Sequence, residues 1–231
     1  MPVINDEEFG KITIRRSAKA TQVKVRVAPD GTLRASLPLY APVFLVKRLI
    51  KSSRDELRAM LSDAQPSQEY SDGMHIGKSH TLIVRHIGAG IPKVERHKQQ
   101  IIVSLPEGHQ LNNPEISRLT RDCVIAALRI EAKSYLPKRL SFLATKYGFS
   151  YEKVRFSHAS GRWGSCSASG TISLNIALMK LPFELIDYVI VHELSHTVHM
   201  NHSHAFWELV SRGDLHYSTN RRQLRQENPS I

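Results

Sequence analysis

The sequence predicts an α+β protein: an amino-terminal antiparallel sheet with a helix, then a mainly helical carboxy-terminal part. Three observations carry this. Short β-branched runs separated by turn residues fill the first part of the chain. From Pro114 onward apolar residues recur at three and four, the helical period. Further on, the apolar run 186–191 leads straight into His192-Glu193-Leu194-Ser195-His196, an HExxH pattern. The division so predicted is a strand-rich region over residues 1–112 and a helical metal-site domain over 113–231.

In chain order, residues 11–15 and 22–27 read as strands, and Pro29-Asp30-Gly31 is a turn before a third at 32–37. Over 43–61 the period changes: Val43, Val46, Ile50, Leu57 and Leu61 are spaced for one helix. Residues 63–72 are polar and read as a loop. Strands follow at 81–85 and 100–104, with 93–99 a charged edge or turn between them, and Gly73, Gly77, Gly88 and Gly90 at turns. Ile116, Leu119, Cys123, Ala127 and Ile130 mark a helix, and Leu140, Leu143 and Ala144 a continuation that Pro137 divides or kinks and Gly148 closes. Residues 151–157 and 171–175 look like strands joined by a glycine-serine loop, 205–210 like a short helix, and 220–226 like a basic tail. No internal repeat is visible.

The HExxH helix carries the chemistry. Residues four apart on a helix differ by about 40° around its axis, so His192 and His196 can share one metal ion, with Glu193 beside it as a general base. Pro182 suits the first turn of that helix, and Glu184 and Asp187 suit its electropositive end. A catalytic zinc takes a third protein ligand and keeps one position open. His199, His202 and His204 are available; His202 follows Asn201, a residue suited to ending a helix, and is the choice. His199 and His204 then stand beside the site or on the surface. The oxyanion or substrate contacts are sought among His158, Arg162 and Tyr217. The strand 171–175 could pair with an extended substrate. Cys166 reads as an inert thiol more readily than as a fourth ligand.

The 231 residues carry 32 Lys and Arg against 21 Asp and Glu, a net charge of +11, so nucleic acid is a possible partner through a basic surface. No apolar run reaches membrane-spanning length, and the first ten residues hold Asp6, Glu7 and Glu8 and no export signal. With only Cys123 and Cys166 there is no disulfide framework, and the expected location is the cytoplasm.

Several runs together resemble one family. Arg162-Trp163-Gly164-Ser165-Cys166-Ser167, Ile172-Ser173-Leu174-Asn175, the segment from Ile186 through His196, Asn201-His202-Ser203 and Phe206-Trp207 are similar to the YgjP-like zinc metallopeptidases, related at their zinc core to the SprT-like proteases. Arg16-Ser17 and the Pro29-Asp30-Gly31 turn extend the likeness over nearly the whole chain. The resemblance implies a minimal gluzincin-type zincin domain, a β-hairpin over the HExxH helix, with Zn2+ on His192, His196 and His202 and Glu193 as catalytic acid and base. The expected function is Glu-assisted attack of a zinc-bound water on peptide bonds of extended or unfolded polypeptide. A zinc hydrolase of non-peptide amides and a zinc-stabilised nucleic-acid-binding protein are the alternatives.

Overall fold

In the computed structural model, which describes residues 2–18, 20–27, 32–64 and 70–231, the chain divides into two units, Met1–Gln68 and Glu69–Ile231. The boundary expected near residue 112 falls inside the second unit. The reason is packing: Ile76, Leu82, Ile101, Val103 and Leu105 from the strands before it share one buried cluster with the helices after it.

The first unit begins with β1 (Val3–Asp6), β2 (Gly10–Arg16), β3 (Lys24–Val27) and β4 (Leu33–Leu37). Their order is β1-β2-β4-β3, and β2 and β4 run parallel, so the sheet is mixed where an antiparallel one was expected. The polar β1 gave no strand signal; it is held by pairing with β2. Alternation puts Ile12, Ile14, Leu33, Ala35 and Leu37 on the inner face. Against them pack Val46 and Ile50 of α1 (Phe44–Ser52) and Leu57 of α2 (Arg54–Ala64). The one helix expected over 43–61 is thus two. Ser52 Oγ donates to the Leu49 carbonyl at 3.0 Å, and Ser53 leaves helical geometry, the local competition that serines offer a backbone. The Pro29-Asp30-Gly31 turn and residues 65–69 of the loop expected at 63–72 lie outside the described residues.

The second unit opens with β5 (His75–Ile76), β6 (His80–Ile87), β7 (Lys93–His97) and β8 (Gln100–Pro106), in the order β5-β6-β8-β7 with β6 and β8 parallel. This repeats the strand order and senses of the first sheet. Each four-strand set ends in Ser-Leu-Pro, at Ser36-Leu37-Pro38 and Ser104-Leu105-Pro106, and is followed by helix. An internal repeat therefore exists in topology although the sequence showed none, because its few shared residues are spread over strands of unequal length.

α3 (Pro114–Tyr147) then runs for 34 residues straight through Pro137, capped by the Asn113 side chain at its start and closed at Gly148. A proline inside a helix costs about 3 kcal/mol. Leu136, Leu140 and Leu143, at most 3 % exposed, return that through burial on both sides of it, so the division expected there does not occur. Glu131 of α3 is itself buried and receives the backbone N–H groups of Lys78 and Ser79 at 2.7 and 2.9 Å, with His80 Nδ1 at 2.6 Å. Gly77, at φ +64°, lies so close to that carboxylate that a Cβ would collide with it.

The third sheet consists of β9 (Lys153–Ser157), β10 (Gly164–Cys166) and β11 (Thr171–Asn175), ordered β10-β11-β9. The hairpin is β10–β11, and β9 runs parallel to β11. A 3-10 turn at Ile176–Lys180 leads into α4 (Phe183–Ser195), followed by α5 (His204–Gly213) and α6 (Tyr217–Leu224). The expected basic tail is therefore mostly helix. No helix among the described residues is long and apolar enough to cross a membrane.

Candidate metal centre

α4 is apolar nearly all round, with Leu185, Ile186, Tyr188, Val189, Ile190, Val191 and Leu194 buried, which is the signature of a central helix. Arg139 of α3 braces it through two hydrogen bonds to the Asp187 carboxylate, at 2.7 and 2.5 Å. His192 and Glu193 are thereby carried on a helix packed on nearly every side. His196 follows as the capping residue, and the chain turns back at 197–200 through bonds such as His199 N–H to the Ser195 carbonyl at 3.0 Å. That turn brings His202 to the other two imidazoles just before Ser203 caps α5.

One nitrogen from each of His192, His196 and His202 lies within 4.8 Å of the others. The Nε2 atoms of His192 and His202 are 3.2 Å apart. Imidazole nitrogens at that distance share either a proton or a cation. His196 Nδ1 sits 3.0 Å from the His199 carbonyl; a neutral ring donates there and leaves Nε2 as a lone pair. All three rings rest on Phe206, with centroids 5.0, 4.5 and 4.8 Å away. Burial pushes His192 down to about 3, helped by repulsion from His196, His202 and Arg221, and burial also lowers His196. Neutral imidazoles at neutral pH are what a divalent metal requires.

Glu193 is buried beside them, its Oε2 without a hydrogen-bond partner among the described residues. Burial pushes its carboxyl up to about 8, opposed only by the charge of Arg162. Its other oxygen faces Gly164 of β10, where an added Cβ would sit 2.6 Å from Oε1. Only glycine leaves room for that carboxyl. Asn175, fully buried at the end of β11, holds the approach to β10: its amide donates to the Ala159 and Arg162 carbonyls at 2.7 and 2.9 Å. Three converging imidazole nitrogens with an orphaned buried carboxyl oxygen alongside fit a divalent metal.

The other expected residues are placed as follows. His199 contributes its backbone carbonyl, and His204 is exposed with Glu208 at 3.7 Å. Tyr217 stacks on Trp207 at 5.8 Å, and Trp207 stacks on His202 at 5.6 Å, so this tyrosine is one ring removed from the triad. Arg162 is exposed, next to Trp163 and Gly164 at the entrance to β10, and its charge reaches Glu193. His158 is exposed, with its Nδ1 3.4 Å from Arg129 of α3. Burial raises the Cys166 thiol, as does the Glu193 charge, and its Sγ donates to the Ser167 carbonyl at 3.4 Å. β11 cannot pair with a substrate as expected, since β10 and β9 occupy both its edges; the open edge beside Glu193 is β10. Gly164, Asn175 and Arg221 were missed. Their roles come from contacts distant in sequence, and only the glycine in its Trp-Gly-Ser setting offered a signal.

Comparison with curated proteins finds no match. Among solved structures, the metallopeptidase zymogen abylysin of Pyrococcus abyssi is similar, at 23% identity over 39% of this chain and 91% of that one, with a TM-score of 0.36. Residues 21–227 match the profile of the YgjP-like family, metallopeptidase domain. With nearly the whole chain inside that match, the chain belongs to the YgjP-like metallopeptidases.

Proposed function

We propose that the chain is a zinc-dependent peptidase in which His192, His196 and His202 hold Zn2+ and Glu193 moves the proton. The observation that carries this is the convergence of three imidazole nitrogens within 4.8 Å beside a buried, unpartnered carboxyl. Zinc bound there would supply Lewis-acid polarisation of the scissile carbonyl and make a coordinated water acidic near neutral pH. Glu193, pressed against Gly164, receives the proton of the attacking water and delivers it to the departing amine nitrogen. The positive field of a bound dication opposes the burial that raises this carboxyl, so it can ionise for that work. β10 presents its open edge to an extended polypeptide, and Arg162 and Tyr217 are the candidates to receive the developing oxyanion.

The experiment is cleavage of an unfolded casein-like protein, read by mass spectrometry, with zinc content measured after dialysis. Glu193→Gln should retain zinc and lose activity by about 10²–10⁴-fold. His202→Ala should lose zinc, while His199→Ala and His204→Ala keep it. Equal zinc retention by His202→Ala moves the third ligand elsewhere, and equal cleavage by Glu193→Gln removes the proposed mechanism.

One observation favours the second partner expected from the charge. On the outer face of the first unit's sheet, Thr13 and Arg26 flank Arg34, and Arg15 and Lys24 flank Ser36. Such a basic, hydroxyl-bearing face suits nucleic-acid phosphates without reading bases. Binding of labelled DNA should be measurable at low salt and fall steeply toward physiological salt. Absence of binding at low salt leaves the face to solubility.

A further inference from the structure

Positive charge is gathered around a site meant to hold a cation. α6 lays two side chains, four residues apart, on Trp207: the Tyr217 ring and, 4.4 Å from the indole centroid, the Arg221 guanidinium. Trp207 in turn contacts two of the three histidines, with ring centroids 5.6 Å from His202 and 5.8 Å from His192. Arg221 is thus fixed one indole away from the triad. Among the described residues its guanidinium forms no ion pair or hydrogen bond. Asp214, at the turn before α6, takes its two hydrogen bonds from Asn220 Nδ2 and the His216 N–H, each at 2.8 Å. Arg162 stands next but one to Gly164, the residue against Glu193, with its carbonyl anchored by buried Asn175 at 2.9 Å and its charge reaching Glu193.

Two arginines flanking a metal site repel the metal and weaken its binding. They also offer planar forks of donors that match a carboxylate in two hydrogen bonds, one of them stiffened by stacking on an indole. An anion that completes the site removes the repulsion and uses both features. Resting on the peptidase reading above, we propose that Arg221 and Arg162 recognise a carboxylate on the substrate, so that the preferred polypeptide segments carry one close to the scissile bond. The carboxylate comes either from an Asp or Glu side chain or from a free chain terminus. The two sources share one chemistry and separate in the test.

The test uses three labelled eight-residue peptides of one sequence: Glu on both sides of the central bond with an amidated terminus, Gln at those positions with an amidated terminus, and the Gln peptide with a free carboxyl terminus. Binding to zinc-loaded Glu193→Gln full-length chain is measured by fluorescence anisotropy, and cleavage by zinc-loaded wild type in parallel. At least one carboxylate peptide should bind about tenfold tighter than the amidated Gln peptide. Arg221→Gln and Arg162→Gln should each erase most of that ratio. Arg221→Lys, which keeps the charge but loses the fork, should retain part of it, and Arg118→Gln on the exposed face of α3 should retain all. Equal binding of the three peptides, or a ratio that survives loss of both arginines, overturns the proposal. Cleavage of all three peptides at one rate overturns it too and leaves the peptidase reading standing. Carboxylate-selective binding without cleavage upholds the arginine pair and sinks the peptidase reading.

Discussion

At the scale of single residues, the site pairs two groups displaced in opposite directions by the same burial. His192 is pushed down from 6.5 to about 3 and Glu193 up from 4.5 to about 8. In the metal-free chain their linkage signs differ. His192 is held neutral, so its contribution is complete above pH 6.5 and is lost as pH falls toward about 3. Glu193 is held protonated, so its contribution is complete below pH 4.5 and is lost as pH rises toward about 8. Where the windows overlap, from 4.5 to 6.5, these two slopes oppose each other, and His196, which burial also lowers, adds to the acid-side slope. Chemical denaturation in the presence of a chelator should therefore show stability falling on the acid side and, above pH 6.5, an alkaline decline from Glu193 of up to about 1.4 kcal/mol per pH unit. Glu193→Gln should abolish the alkaline decline and keep the acid one. An unchanged alkaline limb would mean that Glu193 is not the buried acid described. HExxH was legible in the sequence because its spacing is the helix's own period. The packing of Glu193 against Gly164 was not, because 29 residues separate a contact that only the hairpin creates.

At the scale of elements, β10 is a strand the sequence did not reveal, and it lies against Glu193. Three residues inside a glycine-serine loop carry too little pattern to be read as a strand. Its ladder is plain in the structure: the Trp163 carbonyl accepts from Asn175 N–H at 2.8 Å, and Ser167 N–H donates to Thr171 at 3.0 Å. Antiparallel alternation then turns Ser165 toward β11 and the backbone groups of Gly164 and Cys166 outward. Cys166→Pro removes one outward donor and no ladder bond. It should raise KM for extended peptides several-fold while zinc content and melting temperature stay near wild type. Ser165→Pro strikes the ladder itself and should lower the melting temperature. An unchanged KM in the first variant would place the substrate on another edge. α3 teaches the reverse lesson: Pro137 is a local stop signal, and the apolar residues on both sides of it outvote it.

At the scale of the whole molecule, the two units have separate buried clusters, and every member of the one that contains α4 lies after residue 69. Residues 69–231 expressed alone should unfold cooperatively and bind one zinc ion with affinity close to that of the full chain, measured by competition with a chelating dye. Loss of cooperative unfolding would show that the first unit is needed for the second to fold. The sequence by itself determined the α+β class, the helical spacing of His192 and His196, and the family, since each rests on composition, on periodicity or on residues close together in the chain. Tertiary structure alone decided where the units divide, that β6 and β8 run parallel, that the first two sheets repeat one topology, and that Arg221 reaches the triad across Trp207. Those features are set by strand register and by packing between segments far apart in the chain, where local pattern carries no information about which partner is met.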